Sequence, residues 1–196
     1  MANTDDLRYV RTERAIRAAF MELVREQPVN TVTASGICRA AGISRNAFYL
    51  HYASIADLYA ALVGELVDDI RTESMASARR RSALGADDTL SAAIVEAFGR
   101  HEGLLRALLP SDNGSLAKYL AEGIEDAYVE AGLLYGEHGG SLEHRARCAF
   151  AAWAHVGMVS RWIDRTEKPI SDALELFKEM QRGLSEVAAK HLLEGN

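Results

Sequence analysis

The side chains best suited to recognition chemistry lie in one stretch, TVTASGICRAAGISRNAFYLHYASIADLYAAL, residues 31–62. Arg45, Asn46, Ala47 and Tyr49 follow Ser44 there. Arginine pairs with guanine and asparagine with adenine, each through two hydrogen bonds, so both suit base edges in a major groove. Thr33, Ser44, Tyr49 and His51 are of the type that positions phosphates. The histidines offer the competing chemistry of catalysis or metal binding. His101-Glu102, His138, Glu143-His144 and His155 lack the spacing that places two histidine ligands on one helix face. No glycine-rich phosphate loop follows a strand, and no nucleophile elbow is present. No enzyme activity, catalytic residue, metal or cofactor is therefore expected.

Three helices must hold the recognition residues. Ala15, Ile16, Ala19, Phe20, Leu23 and Val24 recur at three- and four-residue steps, the mark of one buried helical stripe. That helix should stop near Gln27-Pro28, because proline drives its predecessor out of helical geometry. Thr33 is placed to cap a second helix running to about Ala40, and Ser44 a third from Arg45 to about His51. Between them Ala41-Gly42-Ile43 is a tight turn, with Gly42 free to take positive φ. Two short helices joined by a glycine-bearing turn form a helix-turn-helix. Ile37, Ile43, Phe48 and Tyr52 face inward and leave Arg45, Asn46, Ala47 and Tyr49 outward. The competing account is a plain helical corner in a dimeric interaction protein that has lost sequence-specific DNA binding.

This stretch resembles the DNA-binding domain of the TetR/AcrR family of bacterial transcriptional regulators. Thr33, Ile37, Ala40 to Arg45, Phe48-Tyr49, His51-Tyr52, Asp57 and Leu58 carry the likeness, which spans about residues 8–65. Three departures remove polar contacts: Ile55 stands where the family commonly has a phosphate-binding lysine, Leu50 where a polar or basic residue is frequent, and Ala47 where Thr or Gly is usual. Gly36 replaces a frequent polar residue inside a helix, at about 1 kcal/mol relative to Ala. The resemblance implies a homodimer on a palindromic operator in double-stranded DNA, released by a small effector and acting as a repressor.

The 196 residues carry a net charge of −6, which by itself points away from DNA. The charge is unevenly spread. Residues 1–52 hold seven arginines, no lysine and five acids, a net of +2, and the remainder carries −8. The longest charge-free apolar run, between Arg147 and Arg161, has 13 residues, short of the ~18 a membrane helix needs. No secretory signal is expected, and two isolated cysteines, Cys38 and Cys148, fit a reducing cytoplasm.

The expected fold is all-α with about nine helices: a helix-turn-helix domain over residues 1–53, and an effector-binding and dimerisation domain over residues 54–196. Later helices are placed at 54 to about 81, 87–106, 112–134, 141–165 and 170–193. Segment 141–165 is apolar on two faces, so it should meet its own core on one side and a partner on the other. Gly157 and Gly183 would permit close backbone approach. Phe98, His101, Leu105, Tyr119, Tyr128, Phe150, Trp153 and Met158 are the candidate effector contacts. Ala151, His155, Trp162, Phe177, Met180 and Leu184 are the candidate dimer contacts.

Overall fold

The computed structural model describes residues 4–84, 90–133, 141–173, 176, 177 and 179. Among them are eight α-helices and no strand: α1 Thr4–Glu26, α2 Ala34–Ala41, α3 Arg45–His51, α4 Ile55–Leu84, α5 Leu90–Arg100, α6 Glu102–Leu108, α7 Ser115–Leu133 and α8 Leu142–Arg165. Two 3₁₀ turns, Val29–Thr31 and Ile170–Ala173, complete the elements. The helix expected at 87–106 is interrupted at His101. Gly99 and Gly103 flank the break, and glycine disfavours helix by about 1 kcal/mol relative to alanine. Most of the helix expected at 170–193, with Gly183, Met180 and Leu184, lies outside the described residues.

The chain forms two compact units. One comprises Met1–Glu65 and Gly103–Leu116, the other Leu66–Glu102 and Ala117–Asn196. The first unit thus runs beyond residue 53 and takes in most of α6, far away in sequence.

In the first unit, α1 buries Ile16, Ala19, Phe20 and Val24. Ile37 of α2, Phe48 of α3, Tyr52 just beyond it and Leu58 of α4 are buried with them. A polar brace supplements this core. Arg17 donates to both carboxylate oxygens of Glu65 at 2.7 Å and to Glu13 at 2.9 Å. Its Nε donates to the Tyr52 hydroxyl at 3.0 Å, and that hydroxyl donates to Glu13 at 3.1 Å. The bond to Glu65 is the main reason the Arg17 guanidinium holds its proton more tightly than usual. A second brace joins α4 to the turn before α7. Asp112 accepts from the Tyr59 hydroxyl at 2.7 Å and from the Leu116 and Gly114 amides at 2.6 and 3.1 Å.

In the second unit, Ile94, Ala97 and Phe98 of α5, Ile124 and Ala127 of α7, and Ala152, Val156 and Val159 of α8 are buried. The α4 stripe at four-residue spacing, Leu66 and Ile70, continues into Ser74 and Ala78, all buried. Arg100 pairs with Asp69 at 2.8 Å, and Arg71 with Glu130.

Candidate nucleic-acid interface

Local sequence fixes the geometry of the helix-turn-helix. The Thr33 hydroxyl accepts from the Gly36 amide at 3.1 Å, and the Ser44 hydroxyl from the Ala47 amide at 3.1 Å. Each cap satisfies one of the amides that a helix start leaves unpaired. Gly42 ends α2 at φ 65°, and its neighbour Ile43 donates its amide to the Cys38 carbonyl at 3.0 Å. Only glycine takes that left-handed geometry without penalty. Gly36 has a local reason too. A Cβ there would lie 3.3 Å from the capping Thr33 oxygen and 3.6 Å from Leu23 of α1. Small size spares the cap a tight contact, while the approach to Leu23 is an ordinary one.

The DNA-facing candidates then separate. Asn46, Tyr49 and Arg45 are exposed on α3, and Ala47 is half-buried. Arg45 donates to the Ser35 hydroxyl of α2, so its guanidinium is held beside the preceding helix. His51 is half-buried, its ring packed against Tyr9 of α1 in a tilted arrangement at a centroid distance of 3.9 Å. Thr33 and Ser44 are exposed while serving as caps. Leu50 is 78% exposed on the outward side of α3. Arg8, Arg11, Arg14 and Arg39 are also exposed in this unit. They present positive charge where Ile55, half-buried, supplies none.

The second unit exchanges the two faces expected for α8. Phe150 and Trp153, expected as effector contacts, are 63% and 52% exposed. Leu142, Ala146, Ala154 and Gly157 are exposed along the same side, and a Cβ on Gly157 would meet nothing within 4 Å. His155 and Phe177, expected at a dimer surface, are buried inside the chain, and Ala151 and Trp162 are half-buried. The reason is packing. Cys148, Ala152, Val156 and Val159 are small and buried, whereas Phe150 and Trp153 find no seat among the described residues.

His155 can be buried because it is satisfied. Its Nδ1 donates to the Ala151 carbonyl at 2.7 Å, which leaves Nε2 as an acceptor facing the Tyr128 hydroxyl at 3.4 Å. Phe177 stacks on the imidazole at 4.6 Å. Burial pushes the imidazole pKa down to about 4, so the ring is neutral at pH 7. Of the other effector candidates, Phe98 is buried and Met158 half-buried, while Tyr119 is exposed. His101 contacts Asp69 at 3.2 Å. Leu105 belongs to the first unit. Sequence reasoning passed over Ser74, whose fully buried hydroxyl has no hydrogen-bond partner among the described residues. Its signal was the four-residue step from Ile70.

A capped, glycine-turned helix pair with a polar outward helix has the geometry of a helix-turn-helix. The profile described as "Bacterial regulatory proteins, tetR family" matches residues 16–62. The match covers the N-terminal part of the chain, which is similar to that family there. Solved structures share the fold along the length of the chain. The dihydroxyacetone kinase operon activator DhaS is 13% identical with a TM-score of 0.63, over 90% of this chain and 97% of its own. Native NalD, the secondary repressor of the MexAB-OprM multidrug efflux pump in Pseudomonas aeruginosa, is 22% identical with a TM-score of 0.56, over 89% and 97%. At these identities the likeness shows the fold alone. No curated protein matches the chain in sequence. Among the described residues no helix is long and apolar enough to cross a membrane, and no group of three or more His, Cys, Asp or Glu side chains could hold a metal ion.

Proposed function

We propose that the chain is an effector-responsive transcriptional repressor that binds a palindromic operator as a homodimer. The observation that carries this reading is the outward face of α3, where Asn46 and Tyr49 stand exposed on a helix fixed by the Ser44 cap and the Gly42 turn. Asn46 suits adenine, and Tyr49 a phosphate. Arg45 reads guanine once its bond to Ser35 is exchanged for the base.

The dimer forms through the outward side of α8, with Phe150, Trp153 and Leu142 as its apolar anchors. A two-fold interface buries the same patch on both copies. It sets the operator half-sites about 34–36 Å apart or a multiple. The effector site lies in the second unit and takes a small, largely apolar molecule. Tyr128, Phe98 and Met158 remain candidates there, joined by His155 and Ser74 as its polar groups. The effector acts by binding the DNA-released state more tightly than the DNA-competent one.

The test is a gel shift with duplexes selected from a random pool, repeated across salt concentrations. Sequence preference by the wild type, lost in Asn46→Ala/Tyr49→Ala with the dimer retained on sizing, supports the reading. A wild type with no preference over random DNA overturns it and favours the interaction-protein account.

A further inference from the structure

Leu50 is the residue of α3 that the DNA-reading face does not explain through polar chemistry. It is 78% exposed and lies one helical turn beyond Asn46, so the two side chains are neighbours on one ridge. On the adjoining ridge, Arg45 is held by Ser35 and Tyr49 is exposed. The outward face therefore presents an amide, a phenol and one bulky aliphatic group.

The major groove offers such a group a single kind of partner. Base edges there are hydrogen-bond donors and acceptors, with one exception, the C5-methyl of thymine. Phosphates and water give an isopropyl group nothing. We propose that Leu50 is a specificity-determining residue that packs on a thymine methyl in each operator half-site, beside the adenine read by Asn46. The proposal rests on the reading of α3 as the DNA-reading helix and adds the base that its apolar position selects. Ile55 strengthens the argument. At the start of α4 it brings no charge to a phosphate, so the base contacts account for a larger share of binding.

The experiment uses the full-length protein and the site it selects from random duplexes. Each thymine is replaced in turn by deoxyuridine, which removes only the methyl, and affinity is measured by fluorescence anisotropy. The wild type is expected to lose about fourfold at one thymine per half-site, the equivalent of one buried methyl group. Leu50→Ala is expected to show no loss at that position while keeping its preference for the adenine. Because Leu50 is exposed, that variant should match the wild type in circular dichroism and sizing. A selected site indifferent to every deoxyuridine, or a Leu50→Ala protein as sensitive as the wild type, overturns the proposal while leaving the regulator reading in place. Selection of no sequence at all overturns both.

Discussion

The outward faces of α3 and α8 are opposite in chemistry. On α3 the exposed positions carry Arg45, Asn46 and Tyr49, with Leu50 as the aliphatic exception, and the buried anchor is Phe48. On α8 the exposed side carries Leu142, Phe150 and Trp153, and the buried side includes His144, Cys148 and His155. A polar outward face over an apolar anchor is the ordinary arrangement of a surface helix. The α8 arrangement, with large apolar groups outside and polar groups inside, needs two explanations. The outer groups are left uncovered by the described residues, and the inner ones need internal partners. His155 has the latter in Ala151 and Tyr128.

The sharpest way to break this contrast is to charge the α8 face. Phe150→Glu/Trp153→Glu should weaken self-association by on the order of 4 kcal/mol, as expected for two anchor residues of an interface. Analytical ultracentrifugation should then show a folded monomer. A dimer of unchanged stability would mean that these side chains are not its anchors.

The buried side gives the next largest effect, through pH. His155 has a folded pKa of about 4, lowered from 6.5 by burial. The unfolded chain therefore binds the proton more readily, and folding stability falls as pH drops. The contribution is fully present above about pH 6.5 and is lost progressively down to about pH 4, for a total of roughly 3 kcal/mol. Urea denaturation across that range should show a shallower pH slope for His155→Gln than for the wild type. Equal slopes would remove His155 from the titrating groups.

On α3, Asn46→Ala should cost about 2 kcal/mol of operator affinity and relax preference at one base pair per half-site, measured by competition gel shift. An equal loss on random DNA would instead assign Asn46 to a phosphate. The smallest effect belongs to the turn. Gly42→Ala places a side chain at φ 65° and should lower unfolding stability by about 1 kcal/mol, read as a drop in Tm. Recovery by Gly42→Asn, a residue that tolerates this geometry, would confirm backbone strain as the cause.

The readable parts of the chain were those decided by near neighbours. Pro28 ended α1, Thr33 and Ser44 capped their helices, and Gly42 made the turn, each acting within four residues. On α3 the same spacing placed Arg45, Asn46 and Tyr49 outward, whereas Ala47 is half-buried and the exposure of Leu50 was not read from it. The break at His101 and the membership of Gly103–Leu116 in the first unit were not readable. The Tyr59–Asp112 bond, for one, joins residues 53 apart.

The amino-acid sequence by itself determined the helix-turn-helix, because caps, turn and apolar period act locally and agree with one another. Tertiary structure alone decided which side of α8 is buried. Both sides are apolar enough to be hidden, so hydrophobicity could not rank them. The choice fell to shape and hydrogen bonding: small residues allow close approach, and the imidazole of His155 finds Tyr128 on another helix, 27 positions away.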